Sequence, residues 1–183
     1  MKAIRLVFLL LTFELQAQFP LDTIVVSAAK YEQSILNSDR NVQIITREEL
    51  AKSPVNNLSD LLDFTLGVDA RQRGSFGVQT DLSMRGGTFE QVLVLVNGIR
   101  IGDPQTGHHT MNLPVQKEDI ERIEILYGGA AYIFGANAFS GAINIITKES
   151  TGESGGQYEL GYGSFESKKA AGLLSGAVAN HQY

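Results

Sequence analysis

Polar capping residues and the spacing of apolar residues predict two short helices early in the chain. Thr46 and Glu49 have the spacing of a capping box, which predicts a short helix that ends before Pro54. A second helix is predicted to begin at residues 56–57, and Gly67 suits the left-handed position that follows a helix. The buried face of this second helix is predicted to consist of Leu58, Leu61, Leu62, Thr65 and Leu66.

Short apolar runs and period-two alternation follow Gly67, and every one of the 19 glycines lies at or after this position. The first third is therefore interpreted as a tail plus helices, and the rest as strands and tight turns. Asn97 and Gly98 form the strongest hairpin signal of the chain. The predicted strands are 91–96, 99–101, 120–126 and 142–147.

The strand predicted over 120–126 alternates apolar and charged residues. Ile123 and Ile125 are expected to face one side, with Arg122 and Glu124 on the other. No carboxylate pair stands isolated in an apolar setting that would tune one as an acid and the other as a base. The charged side, together with Glu121, is therefore interpreted as a salt-bridged surface or interface.

The N-terminus has the layout of a secretory signal peptide. Lys2 and Arg5 precede an apolar run over 6–13, and cleavage is expected after Ala17 or Gln18. The run is too short for a membrane-spanning helix, which needs about 20 residues. A buried N-terminal helix is the disfavoured alternative, because no other segment shows a matching apolar face.

Two segments each allow two interpretations. The β-branched run over 21–29 is favoured, on residue chemistry alone, as a first strand over a strand held for a partner's sheet edge. Tyr158, Leu160 and Tyr162 alternate with polar residues and glycine, whereas 168–179 is small and apolar without clear alternation. This C-terminal pattern fits a hairpin on a soluble sheet and a transmembrane β-strand about equally well.

Composition excludes several classes of function. The 15 basic and 20 acidic residues give a formal net charge of -5, which argues against a nucleic-acid binder. The absence of cysteine excludes disulfides, thiolate zinc sites and cysteine nucleophiles. No nucleophile elbow, phosphate-binding loop or dinucleotide fingerprint is present. We therefore expect no enzyme activity and no cofactor, and an enzyme of the cell envelope is the least favoured function for this chain.

The segment that contains the adjacent histidines is predicted to be a loop. Asp103 is expected to cap a turn with Pro104. His108 and His109 are favoured as solvated loop residues, with a metal or haem ligand as the alternative.

Five segments, in order, resemble motifs of the TonB-dependent outer-membrane receptors. Residues 22–28 (DTIVVSA) resemble the TonB box, the energy-coupling motif of that family. The other four resemble motifs of its plug domain, and they are 83–87 (SMRGG), 94–100 (VLVNGIR), 120–129 (IERIEILYGG) and 132–147 (YIFGANAFSGAINIIT). Their joint order makes the resemblance specific.

The resemblance implies an α+β fold. We expect a plug domain, with a small mixed sheet and short helices, followed by the first one or two strands of an incomplete transmembrane β-barrel. The implied divisions are a signal peptide over 1–17, a flexible tail with the TonB box over 18–30, the plug over 31–150 and a truncated barrel start over 151–183. One or two strands cannot close a barrel, so we expect a truncated form that does not transport unaided, or one that assembles with another chain.

The function implied by the resemblance is gating of energy-coupled nutrient uptake at the bacterial outer membrane. TonB, an inner-membrane protein, would pair with the box by strand addition, which overturns the first-strand interpretation. The implied coupling residues are Asp22, Thr23, Ile24, Val25, Val26, Ser27 and Ala28. Residues 22–33 look closest to the cobalamin (vitamin B12) receptors of the family, and ferric siderophores and haem are the other nutrients expected.

The resemblance also implies two sets of site residues. Contacts between plug and barrel are expected from Arg85, Gly86, Glu121, Arg122 and Glu124. Ligand-facing positions are expected on loops 74–80 and 102–112, at Ser75, Phe76, Asp103, Gln105, His108 and His109. Tyr127 replaces the arginine of the family's arginine-glycine-proline, so that arginine's contact is not carried over. The alternative function is a free-standing periplasmic binding or signalling module with a plug fold.

Overall fold

A computed structural model describes residues 25–26, 33–34, 41–55, 57–74, 78–103, 105–129, 131–149, 154–178 and 181–182. The predicted signal peptide and most of the predicted TonB box lie outside these residues. None of the helices in the described part combines the length and apolar character that a membrane-spanning helix needs.

The described residues form short helices and many strands. The helices are α1 (Arg47–Lys52), α2 (Leu58–Asp63) and α3 (Ala131–Phe134). Turns of 3₁₀ helix lie at Phe89–Gln91, Gly107–His109, Lys117–Asp119 and Ser164–Glu166. The strands are β1 (Val25–Val26), β2 (Gln33–Ser34), β3 (Val42–Thr46), β4 (Val68–Gln72), β5 (Thr80–Met84), β6 (Val92–Val96), β7 (Ile99–Ile101), β8 (Ile120–Tyr127), β9 (Gly141–Thr147), β10 (Gly155–Tyr162), β11 (Lys168–Ser175), β12 (Ala177–Val178) and β13 (His181–Gln182).

A five-stranded mixed sheet in the order β3-β8-β9-β6-β7 is the centre of the fold. Strands β6 and β9 run parallel, and the other neighbours in this sheet are antiparallel. A separate ribbon of β4 and β5 lies beside it. The mixed sheet with short helices confirms the fold class. The prediction that only a tail and helices precede Gly67 is wrong, because β3 is an edge strand of this sheet; glycine marks turns and carries no information on strands.

The two longer helices begin as the sequence predicts. The Thr46 amide donates to Glu49 Oε2 at 2.8 Å and the Glu49 amide donates to Thr46 Oγ1 at 3.4 Å, which confirms the capping box. Helix α2 ends at Asp63, so Leu66 is not on its buried face and is 87% exposed. This part of the prediction is wrong, because the chain leaves the helix one turn earlier than the apolar spacing suggests.

Buried side chains cover the sheet on both faces. The larger cluster combines residues of α1 and α2, such as Leu62, with strand residues such as Ile123 and Ile143. The smaller cluster comprises Leu93, Leu95, Leu126, Ala138 and Ala142. Burial on both faces explains why β6 has the continuous apolar sequence VLVLV.

The β6–β7 hairpin forms at the predicted turn. Asn97 and Gly98 have φ of 52° and 76°, the left-handed pair that a type I′ turn needs. Asn97 also bonds to β9, since its Nδ2 donates to Thr147 Oγ1 at 2.8 Å and its Oδ1 accepts from the Thr147 amide at 2.9 Å. The turn is thereby fixed to the end of the neighbouring strand.

Strands β10 and β11 form a C-terminal hairpin in register from Gly155 opposite Ser175 to Tyr162 opposite Lys168. Exposure alternates along β11, although its sequence showed no clear alternation. The apolar side chains of one face are exposed, namely Tyr158 (84%), Leu160 (78%), Tyr162 (77%) and Leu174 (87%).

Candidate functional site

Strand β8 lies between β3 and β9 in the central sheet, and it carries a buried charged side chain, that of Glu124. The side chain of Glu124 is 0% exposed, and its Oε1 accepts from Arg122 Nε at 2.9 Å. Its Oε2 accepts from Asn144 Nδ2 at 3.3 Å, and Asn144 Oδ1 accepts from the Gly98 amide at 3.0 Å. The prediction of a charged surface here is wrong for Glu124, because the smaller apolar cluster covers this face. Its role as a barrel contact stays a prediction.

Arg85 and Gly86 form the tight turn after β5, with φ of 49° and 78°. The Arg85 guanidinium lies 5.3 Å from the centre of the Tyr127 ring, a cation–π arrangement. The Tyr127 hydroxyl lies 2.8 Å from Gln43 Oε1 and 2.5 Å from the Leu66 carbonyl oxygen. Burial raises the pKa of Tyr127, and the positive charge of Arg85 opposes that rise. Tyr127 thus connects the Arg85 turn to β3 and to the segment that follows α2.

Glycines permit close approach where these segments meet. A methyl group at Gly141 would lie 2.6 Å from the Leu126 carbonyl oxygen and 2.7 Å from Met84 Cε. The Gly128 amide donates to the Ser140 carbonyl at 2.9 Å. The segments over 83–87, 120–129 and 132–147 are therefore one packed unit.

The two predicted ligand-facing loops are joined through a histidine–aspartate pair. His108 Nδ1 lies 2.7 Å from Asp81 Oδ1, and the His108 ring stacks on Phe89 with 4.3 Å between centroids. Asp81 Oδ2 also accepts from Arg73 Nη2 at 3.0 Å. His108, on loop 102–112, is thus fixed against the base of loop 74–80.

The Asp81 carboxylate has a pKa below its ordinary value. Burial raises this pKa, but the hydrogen bonds and positive charges of His108 and Arg73 outweigh the burial and lower it. Asp81 and Arg73 were not among the predicted site residues. The sequence of β5, TDLSM, does not distinguish Asp81 from the polar residues beside it, and only the structure shows that the carboxylate is buried and therefore needs cationic partners.

The remaining predicted loop residues have local roles. Asp103 Oδ1 accepts from the Gln105 amide at 2.8 Å, which confirms that Asp103 caps the turn. His109 is exposed and its Nδ1 lies 3.3 Å from Asn112 Nδ2. The two histidine rings thus have different partners. Ser75 and Phe76 lie outside the described residues.

Glu121 is half-buried near the start of β8, and its Oε2 lies 3.7 Å from Arg47 Nη1. In the part of the chain that the structure describes, no three histidine, aspartate or glutamate residues are grouped so that they could hold a metal ion. Of the predicted coupling residues, Val25 and Val26 are described, and they pair as a strand with Ser34 and Gln33.

Comparison with known proteins adds independent information. The model of the TonB-dependent Receptor Plug Domain family matches residues 34–142. The vitamin B12 transporter BtuB of Vibrio vulnificus is 33% identical over 159 residues, which are 87% of this chain and 26% of that protein. An iron-regulated outer membrane virulence protein of Vibrio cholerae serotype O1 is 32% identical over 145 residues, covering 76% of this chain and 22% of that protein. The chain spans about a quarter of the length of the curated relatives it matches.

A solved structure gives the same fold. The ferripyoverdine receptor of the Pseudomonas aeruginosa outer membrane, bound to ferripyoverdine, matches with a TM-score of 0.71 at 21% identity. The match covers 85% of this chain and 20% of the receptor chain. At this identity the likeness supports the fold alone.

Proposed function

The chain belongs to the TonB-dependent receptor plug domain family, and from this premise we propose that it gates the uptake of a scarce nutrient through an outer-membrane receptor. The proposed role is that of a gate and not of a catalyst. The two relatives described above are by name a transporter and an outer membrane protein.

The observation that carries this proposal is the convergence of the motif segments. Segments far apart in the sequence meet through the Arg85–Tyr127 stack, the bond from Gly128 to Ser140 and the bond from Gly98 to Asn144. A domain whose motifs form one packed unit can move as a body or open at a defined joint, as a gate requires.

We propose cobalamin as the first candidate nutrient and a ferric siderophore as the second. The similarity to vitamin B12 transporters supports the first, and the similarity to an iron-regulated protein supports the second. Haem stands third, because His108 is engaged by Asp81 and Phe89 and no second histidine faces it among the described residues. The ligand surface would be formed by loops 74–80 and 102–112, which His108 joins.

Two further parts of the proposal concern location and coupling. The C-terminal hairpin would begin the barrel of the receptor in the outer membrane, since its apolar face is exposed and alternates with a polar face. TonB would add a strand to residues 22–28, a β-branched segment suited to strand pairing.

The coupling proposal is tested with a peptide of residues 20–30 and the C-terminal domain of TonB. We expect binding in the micromolar range by fluorescence anisotropy. A matched peptide with Val25→Pro should lose it, because proline cannot donate to a strand ladder. Absence of binding at high micromolar concentration, alongside an established box peptide that binds, would contradict the proposal and favour the free-standing periplasmic module.

A further inference from the structure

Lys169 lies where the C-terminal hairpin meets the plug. Its Nζ is 2.7 Å from Glu118 Oε1, on the 3₁₀ turn before β8, and 3.1 Å from Glu159 Oε1, on the neighbouring strand β10. Glu118 is largely shielded, with 22% of its side chain exposed. A single ammonium group therefore joins a carboxylate of the plug to a carboxylate of the hairpin.

The protonation equilibria of the two partners favour this contact. The hydrogen bond to Glu118 raises the pKa of Lys169 against the opposing effect of burial. Burial raises the pKa of Glu118, but its hydrogen bonds to Lys169 and to the backbone outweigh burial and lower it. Both groups are consequently charged at neutral pH.

Open clefts form the rest of this interface. A cleft of about 880 Å³ separates the plug from the hairpin. Its plug side carries charged residues of both signs, namely Arg47, Asp119, Glu121, Arg122, Lys148 and Glu149. A second cleft of about 390 Å³ lies beside Lys169 itself. Both clefts also contain apolar side chains, among them Ile146 and Leu173 in the larger cleft and Val55 and Ile120 in the smaller one. Because the clefts are open, these side chains do not form a closed apolar contact between plug and hairpin.

The apolar core does not extend into the interface. Both buried clusters, as formed by the described residues, contain no side chain of β10 or β11. The plug-facing side of the hairpin presents Gln157, Glu159 and Lys169. Leu173, which is opposite Gln157, is on the same side and lines the larger cleft. The strongly exposed apolar residues Tyr158, Leu160 and Tyr162 are on the other side. Separation of hairpin and plug would thus expose the Leu173 side chain further, but it would break neither of the two buried clusters, which supply the main apolar resistance to unfolding of the plug.

We propose that Lys169 and Glu118 form an ionic latch that holds the plug against the hairpin, and that the plug separates from the hairpin along the charged cleft when this latch opens. The assignment of that movement to gating rests on the proposed function. The latch itself is a property of this chain in the absence of TonB and nutrient, so a failed TonB experiment leaves it standing.

The absence of cysteine makes a direct test straightforward. Spin labels at Glu48→Cys on α1 and Ser164→Cys at the hairpin tip, both exposed positions, report the distance between plug and hairpin by pulsed electron paramagnetic resonance. We expect a narrow distance distribution in the otherwise unchanged chain. Lys169→Gln and Glu118→Gln should each broaden it and shift it to longer distances, and the double variant should add little, because the two residues act as one pair.

Two controls make the result specific. Lys168→Gln removes the same charge from the adjacent residue, whose side chain points to the opposite face of β11, and it should leave the distribution unchanged. Exchange of the charges, Glu118→Lys with Lys169→Glu, again places one ammonium between two carboxylates and should restore the narrow distribution. An unchanged distribution in Lys169→Gln, equal broadening in Lys168→Gln, or no recovery on charge exchange would overturn the latch.

Discussion

The central sheet and the C-terminal hairpin are both built of β-strands, but the sheet buries some polar side chains within its apolar core, whereas the hairpin exposes large apolar side chains. In the sheet, Glu124 and Asn144 are 0% and 1% exposed. In the hairpin, the exposed residues include Tyr158 at 84% and Leu160 at 78%. The plug thus holds polar groups inside, whereas the hairpin presents apolar groups outside.

This difference shows which region finds partners for its side chains within the described part of the chain and which does not. The polar groups in the sheet are satisfied by each other and by Arg122, and the structure contains no buried side-chain polar atom without a partner in its described part. The apolar face of the hairpin, by contrast, has no cover from the described residues. Its pattern suits an apolar surrounding on one side and a polar plug on the other, as the proposed position in a membrane requires.

The largest expected effect comes from the same truncation made in both regions. Leu95→Ala in the sheet should lower the free energy of unfolding by about 3 kcal/mol, because it leaves a cavity at a residue that is 2% exposed. Leu160→Ala in the hairpin should change it by less than about 0.5 kcal/mol in water, since the side chain is 78% exposed. Urea unfolding followed by circular dichroism measures both. Equal losses in the two variants would abolish the comparison.

The sequence predicted the elements whose signals are local. The Thr46–Glu49 capping box, the Asn97–Gly98 turn and the apolar runs of β6 and β9 need only their own residues to be recognised. The burial of Glu124 could not be predicted in this way, because it follows from the position of β8 between β3 and β9, which is set by pairing of segments far apart in the chain.

The candidate site shows the same limit. Arg85 and His108 were predicted, but their partners Tyr127 and Asp81 were not, and the pair of His108 and Asp81 is separated by 27 residues. A polar residue inside an apolar strand, such as Asn144 in β9, is the one sequence signal that could have indicated a buried network, because buried polar groups are nearly always bonded.

A smaller effect is expected when a carboxylate is neutralised in each region. Glu124→Gln keeps the shape of the side chain but loses the charge that accepts from Arg122, so we expect a loss of about 2 kcal/mol. Glu159→Gln, in the hairpin, should cost less than about 0.5 kcal/mol, because Glu159 is 42% exposed. Urea unfolding at neutral pH compares them. A cost for Glu159→Gln as large as that for Glu124→Gln would mean that the hairpin belongs to the same cooperative core.

The smallest expected effect is on the pH dependence of stability. It distinguishes a carboxylate within the plug, Asp81, from a carboxylate at the contact between plug and hairpin, Glu118. Because the pKa of Asp81 is lower in the folded chain, its stabilisation is present above the unfolded pKa of about 3.9 and is lost as the pH falls through the folded value. Asp81→Asn should therefore flatten the decline in unfolding free energy on acidification from pH 5 to 3.

Glu118 provides the matched case, since its pKa is also lowered but its cation lies on the hairpin. Glu118→Gln should change how the distance between plug and hairpin depends on pH. The pH dependence of the free energy of unfolding of the plug core should stay nearly the same. Urea unfolding and the spin-label distances, each followed from pH 5 to 3, distinguish the two variants. If Asp81→Asn leaves the decline unchanged, the pair with His108 does not stabilise the plug. If Glu118→Gln flattens core unfolding as much as Asp81→Asn does, the hairpin unfolds together with the plug, and the two regions are one thermodynamic unit despite their opposite arrangement.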